Sequence, residues 1–510
     1  MTTARPNILL VLADDLGWSD LGAFGGEIDT PHLDALARDG VRMSSFYNTA
    51  RCSPSRASLL TGRDPHETGI GILTDDQRPH GYPGSLSTAV PTVAEHLSAA
   101  GYRTGLSGKW HLSSDTATPN DTWPTRRGFD EFHGILAGAD DYFHPRGLFR
   151  GETRQEVPGD GYYLTDAVTD HAVEFVRSGG DEPFFLYLAY TAPHWPLHAP
   201  EEVVQRYEQR YLAGWDALRE QRLTRLRENG LLGTESPLSP RDPREQAWAD
   251  TADRAWQARR MAVYAAQVEV MDTGIGRIVD ALRESGRLAD TLILFLSDNG
   301  GCAEELPPPD AVHFRSRQPS HTPDGRPMRL GNEPGIVPGP DDTFASYGRA
   351  WANLSNTPFR LYKRWVHEGG IATPMIVHWP AGELADGTVR TDPFQLVDVA
   401  PTLAAVAGAG PVDSRGTSML DSWRGTDAPA DRALFWEHIG NCAVRVGPLK
   451  LVRTAGAPWE LYDLDHDRSE LHDLAADRPD DVARLAARWQ DWAADHGVLP
   501  WPIPTPGEDR

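Results

Sequence analysis

Short apolar runs that stop abruptly at charged or polar residues constrain this chain more than any other feature. Asn7 to Ala13 stops at Asp14-Asp15, Phe184 to Tyr190 precedes His194, and Thr291 to Leu296 gives way to Asp298-Asn299. A weaker segment, Tyr102 to Leu106, leads to Lys109 and His111. Runs of this length without polar alternation predict strands buried on both faces. Between them the spacing predicts helices. Thr30 is an expected N-cap and Pro31 an N1 residue for a helix through Arg38 that Gly40 ends; Pro91 to Ala100, Leu164 to Val176, Met261 to Glu284 and Val397 to Ala407 continue the series. Such alternation predicts an α/β fold, a large mostly parallel sheet sandwiched by helices. Ligands of such sheets bind beyond the carboxyl ends of the strands, so the polar groups named above are expected along one edge.

After the apparent strand Met375 to Trp379 the pattern changes. Short strands at Ala433 to His438, Ala443 to Val452 and Trp459 to Leu464, then a helix over Asp480 to Asp495, predict a smaller C-terminal α+β domain. We place the boundary near residue 425, giving domains 1–424 and 425–510. The stretch 303–350 is rich in Pro, Gly and charge and too long for an ordinary connection, which points to a substrate-facing loop.

At 510 residues the chain exceeds one small core. A net charge of −24 argues against nucleic acid or an anionic membrane as partner. The first apolar run is too short for a signal segment or a membrane span, and only Cys52, Cys302 and Cys442 are cysteines, so a reducing cytoplasm is the expected compartment. Of 49 Lys plus Arg, only Lys109, Lys363 and Lys450 are lysines. A chain that otherwise uses Arg for its cations marks its few lysines for special positions, because the two are not interchangeable at a tight site.

The sharpest local motif is Cys52-Ser53-Pro54-Ser55-Arg56. Ser53 as N-cap, Pro54 at N1 and Gly62 as terminator predict a helix of about two turns with Cys52 at its positive end and Arg56 one turn on. Such a place stabilises an anion or a thiolate. The Cys-to-Arg spacing is shorter than in the phosphate loop of cysteine phosphatases. Asp14, Asp15, Asp298 and Asn299 offer three carboxylates and one amide oxygen, hard ligands suited to Ca²⁺ or Mg²⁺. No Cys/His spacing supports zinc.

These residues together resemble the sulfatase family, most like its bacterial arylsulfatases. Cys52-Ser53-Pro54-Ser55-Arg56 matches the Cys-x-Pro-x-Arg sequence in which a maturation enzyme oxidises the cysteine to formylglycine. Thr191-Ala192-Pro193-His194-Trp195-Pro196, Ser297-Asp298-Asn299-Gly300 and Leu461-Tyr462-Asp463-Leu464 extend the likeness over nearly the whole chain. The resemblance implies membership of the alkaline phosphatase superfamily, calcium on Asp14, Asp15, Asp298, Asn299 and residue 52, and catalytic roles for Cys52, Arg56, Lys109, His111, His194, Asp298 and Lys363. It implies a small sulfate ester, an aryl sulfate, as substrate. Lys450 and His198 match no such position and are expected to be structural. A phosphonate monoester or phosphodiester hydrolase with the same site, and a non-catalytic metal-binding relative with an unmodified cysteine, are the competing readings.

Overall fold

The run Asn7–Ala13 forms β1, wholly buried, near the middle of a ten-stranded sheet. The computed structural model describes residues 5–159, 161–307, 318–429 and 431–504. The sheet's other strands are β2 (Val41–Met43), β3 (Arg103–Lys109), β4 (Glu131–Ile135), β5 (Leu148–Arg150), β6 (Thr153–Arg154), β7 (Phe184–Ala189), β8 (Thr291–Ser297), β9 (Met375–His378) and β10 (Thr388–Arg390). Their order is β10-β2-β9-β8-β1-β7-β3-β4-β5-β6. The central strands β8, β1, β7, β3 and β4 are parallel, β9 is inserted antiparallel between β2 and β8, and β5 and β6 close the far edge antiparallel.

Side chains of β1 alternate between two cores, as strand geometry requires. Leu9, Val11 and Ala13 join the layer that holds α1 (Pro31–Arg38), α4 (Leu164–Ser178), α5 (Glu201–Tyr211), α6 (Trp215–Glu228) and α7 (Arg254–Glu284). Ile8, Leu10 and Leu12 join the layer of α2 (Cys52–Thr61), α3 (Val93–Ala99) and α8 (Val399–Ala407). Full burial of each such aliphatic side chain contributes roughly 1.5–3 kcal/mol, which is why β1 lies inside rather than at an edge.

Boundaries differ from the expected ones where packing overrides local pattern. β3 runs on to Lys109 because Gly108, at φ +117°, lets the strand approach β7 closely; a Cβ there would lie 1.9 Å from the Ala189 carbonyl oxygen. The long helix α7 begins at Arg254, ahead of the apolar periodicity. Thr30 occupies the N-cap of α1, but its hydroxyl bonds the Asp34 carboxylate at 3.1 Å instead of capping.

The C-terminal sheet is antiparallel, in the order β11 (Ala433–His438), β12 (Asn441–Val446), β13 (Leu449–Arg453), β14 (Glu460–Asp463). The single strand expected over Ala443 to Val452 is a hairpin, folded at Gly447-Pro448 with Gly447 at φ +58°. Leu434, Trp436, Ala443 and Val452 extend the main core. Val444, Leu451 and Leu461 face α9 (Pro479–Asp495) through Leu485, Trp489 and Trp492. Among the described residues, no helix is long and apolar enough to cross a membrane. The three cysteines are free and buried.

Candidate active site

Strand register alone brings the polar groups together. Ala13 pairs with Ser297, Leu12 with Ala189, and Gly108 with Ala189, so Asp14-Asp15, Lys109-His111, the segment before His194, and Asp298-Asn299 all leave the sheet at one edge. Backbone bonds fix the crossing: the Asp298 amide donates to the Ala13 carbonyl at 3.1 Å, and that of Asp14 to Ala192 at 3.0 Å.

Three carboxylates and three cations interlock there. Lys109 Nζ is 2.5 Å from Asp14 Oδ2, and Lys363 Nζ is 2.7 Å from Asp15 Oδ1. Arg56 donates to Asp298 Oδ2 at 2.8 Å and to the Lys109 carbonyl at 3.0 Å, and stands 3.4 Å from Asp14 Oδ2. All six charged side chains are buried. Burial alone would raise the Asp14 carboxyl, but Lys109, His194, Arg56 and Lys363 outweigh it and hold it far below the usual range. Burial and the neighbouring Asp14 charge instead push Asp298 up, against Arg56 and Lys109. Burial opposes the Lys363 charge, yet Asp15 holds its ammonium well above its ordinary value.

The histidines flank this cluster. His194 Nδ1 lies 2.6 Å from the Trp195 carbonyl oxygen, which fixes the proton on Nδ1 and turns Nε2 toward Asp15 Oδ2 at 3.5 Å. His111 is buried with an unpartnered Nδ1. Burial, then Lys109 and Arg56, keep it neutral by pulling its pKa well below the usual value. Gly138 makes room for the His111 ring, since a Cβ there would fall 2.5 Å from Cε1.

Helix α2 supplies Cys52 and Arg56. The structure corrects the expected cap: the helix starts at Cys52, its N-cap is Arg51 in extended conformation, and the Ser53 hydroxyl is buried without a partner. The first bond runs from the Ser55 amide to the Arg51 carbonyl at 2.9 Å, which puts Pro54 at N3, where its missing N–H costs nothing. Cys52 is thus N1, the first residue of the helix, at its positive end. It is within electrostatic reach of Arg51, Arg56 and Lys363.

A divalent cation suits these donors. Asp14 Oδ1 and Asn299 Oδ1 are buried acceptors with no hydrogen-bond partner, and Asp14, Asp15 and His194 each present a ligand atom within 4.8 Å of the others. Asp298 has both oxygens engaged, by Arg56 and by the Asp15 amide at 3.2 Å, though each carboxylate oxygen can accept a further partner. Orphaned buried oxygens are costly unless something positive satisfies them.

Sequence reasoning missed two participants. Arg51 NH1 pairs with Glu304 Oε1 at 2.6 Å, and Glu304 Oε2 accepts from the Trp195 indole at 3.2 Å. Nothing local in the sequence joins residues 51, 195 and 304. Backbone strain is equally silent: Asp15, Ala50, His111, Leu361 and Arg364 hold φ between +55° and +92° without being glycine.

The sequence profile described as Sulfatase matches residues 6–409. This chain belongs to the sulfatase family. A second profile, N-sulphoglucosamine sulphohydrolase, C-terminal, matches residues 359–490 of this sulfatase. An uncharacterized sulfatase of Schizosaccharomyces pombe (strain 972 / ATCC 24843) is 34% identical to it, over 98% of this chain and 95% of its own. An arylsulfatase of Klebsiella aerogenes is 34% identical over 80% of this chain and 88% of its own. The solved structure of Ps i-CgsB in complex with k-i-k-neocarrahexaose is 26% identical, with a TM-score of 0.71 and coverage of 98% of this sulfatase and 95% of that chain. This sulfatase is therefore a sulfuric ester hydrolase.

Proposed function

We propose that this sulfatase hydrolyses aryl sulfates with a nucleophile made from Cys52 by oxidation to formylglycine, beside Ca²⁺ held by Asp14, Asp15, Asp298, Asn299 and residue 52. The observation that carries the reading is the buried meeting of Asp14, Asp15 and Asp298 with Arg56, Lys109 and Lys363, which leaves Asp14 Oδ1 and Asn299 Oδ1 unsatisfied. Three negative charges balanced by three positive ones make a neutral shell, and a divalent cation added to it makes the pocket an anion receptor. The hydrated aldehyde would supply a hydroxyl nucleophile and a second hydroxyl through which the aldehyde is restored, and the cation would supply positive charge beside it.

The chain's own residues then divide the work. Lys109 and Lys363 neutralise sulfuryl oxygens, and Arg56 orients residue 52. Asp298, whose carboxyl burial and Asp14 push toward protonation, is the base for the attacking hydroxyl. His111, kept neutral by burial and by Lys109, takes the second proton. His194, whose pKa burial lowers and whose Nδ1 is anchored on the Trp195 carbonyl, stands beside the leaving oxygen to protonate or stabilise it. The reading assigns the chemistry to residues 1–424 and treats 425–510 as a separate C-terminal domain. A maturation enzyme is its required protein partner.

Mass spectrometry of the Cys52 peptide from the native host tests the nucleophile: the aldehyde or its hydrate is expected, and an intact thiol would sink it. Turnover of an aryl sulfate against the matching aryl phosphonate tests the substrate, with the sulfate expected to be the faster.

A further inference from the structure

With His194 facing the leaving oxygen as proposed above, the organic part of the substrate lies beside it, and what stands there is Trp195. The two rings are 4.5 Å apart, centroid to centroid, and tilted by 43°. Trp195 is only partly buried, and it packs against both the main core and the small apolar cluster of Leu306, Met328, Leu330 and Phe344. Its edge contact with Phe344 has centroids 5.7 Å apart. Beyond Phe344 opens a cavity of about 180 Å³ lined also by Met328, Pro323 and the segment bearing Asp140, Asp141 and His144. That same segment is tied to the site at both ends. Gly138 abuts His111, and the Tyr142 hydroxyl donates toward the His194 carbonyl at 2.9 Å. The cavity is not lined by Trp195, His111 or His194, and it adjoins the site through Phe344 and the segment around Tyr142.

The indole is held, not merely placed. Glu304 grips its N–H through Oε2 while Oε1 pairs with Arg51, the N-cap of the helix that begins with Cys52. Burial works against the Glu304 charge, but Arg51, Lys363 and His194 hold its carboxyl well below the usual range, so the strap stays ionised. One carboxylate thus links the helix of Cys52 to an aromatic ring beside His194.

Resting on the aryl sulfate reading, we propose that Trp195 is the specificity-determining residue for the leaving group, a platform on which a planar aromatic ring stacks, and that Glu304 is its positioning residue, tying that platform to the helix of Cys52. An indole held by its N–H offers area at no further ordering cost, which rewards a flat ring and gives a small alkyl group nothing.

The test compares phenyl sulfate with ethyl sulfate in the wild type and in Trp195→Ala, Trp195→Phe and Glu304→Gln. Trp195→Ala is expected to raise KM for phenyl sulfate about three- to ten-fold more than it raises that for ethyl sulfate. Trp195→Phe should recover most of the loss. Glu304→Gln, which keeps the shape but not the ion pair, should raise the ratio of phenyl to ethyl sulfate KM in the same direction by a smaller factor. Equal changes for both esters in Trp195→Ala, or a fall confined to kcat, would overturn the platform and leave the aryl sulfatase reading standing. A wild type that cleaves ethyl sulfate but not phenyl sulfate would overturn the aryl reading and the platform with it.

Discussion

Two buried clusters of opposite charges, each containing lysine, divide this molecule between chemistry and architecture. At the strand-end site Asp14 and Asp15 meet Lys109 and Lys363, yet Asp14 Oδ1 and Asn299 Oδ1 find no partner. Behind the C-terminal sheet Lys450 pairs with both Glu368 and Glu470 at 2.9 Å. There each carboxylate oxygen has a cation or a donor beside it: Glu368 Oε2 accepts from the Tyr47 hydroxyl at 3.0 Å and Arg468 at 3.2 Å, Glu470 Oε2 from the Glu368 amide at 2.9 Å, and Glu470 Oε1, without a hydrogen bond, faces the Lys450 ammonium. Equal burial therefore does not mean equal purpose. A closed cluster fixes how two layers sit, while one left with open acceptors is built to receive something.

The sharpest break between the two comes from Lys450→Met, which strands Glu368 and Glu470 and should destabilise the fold by about 3–5 kcal/mol. Denaturant unfolding measures it, and kcat per folded molecule should stay at the wild-type level. Lys109→Ala should cut kcat per folded molecule by ~10²–10³-fold, a loss that Lys450→Met does not share; near-normal turnover would remove Lys109 from the scheme. Chelation sharpens the contrast further. Dialysis against a Ca²⁺ chelator should abolish turnover and lower stability by about 2.7 kcal/mol relative to protein held at a hundred times the dissociation constant, reversibly on adding Ca²⁺. In Asp14→Ala the stability difference between chelated and Ca²⁺-loaded protein should vanish, whereas in Lys450→Met it should persist.

Acid distinguishes the closed cluster more gently. Burial would raise the Glu368 carboxyl, but Lys450, Arg468 and Arg445 outweigh it and depress it below its ordinary 4.5. A depressed acid binds fewer protons folded than unfolded, so its contribution is full above pH 4.5 and is lost as pH falls below it. Stability of Lys450→Met should accordingly decline less steeply than that of the wild type between pH 5 and pH 3.5, and parallel slopes in urea titrations would contradict the pairing.

Much of this architecture is legible in the sequence, because the central strands are buried on both faces and therefore read as plain apolar runs with polar ends. Asp14-Asp15, Lys109, His111, His194 and Asp298-Asn299 could be assigned to one edge on that ground alone. Lysine scarcity drew attention to Lys363, which the structure sets against Asp15. What stayed hidden depends on contacts between distant residues. Arg51 and Glu304 are ordinary surface charges until the fold pairs them, and the left-handed backbone at Asp15 and His111 is imposed by surroundings that no local pattern encodes. Ser53 misled for a related reason: in isolation a serine before proline looks like a cap, but the extended backbone at Arg51 starts the helix earlier. The hairpin at Gly447-Pro448 carried its own turn signal within an otherwise strand-like run.

Helix α2 has all ten of its residues buried, and Cys52 keeps only 3% of its surface. That sets a timetable. On the proposed reading, an enzyme that oxidises this side chain has to reach it before the helix docks. The sheet that α2 docks against needs a long-range pairing, β1 with β8, in which Asn7 registers against Thr291, and contacts so distant in sequence slow folding. If Cys52 is modified as proposed, the long reach of that pairing would give the modifying enzyme its time, and the extent of modification would record how fast the chain folded.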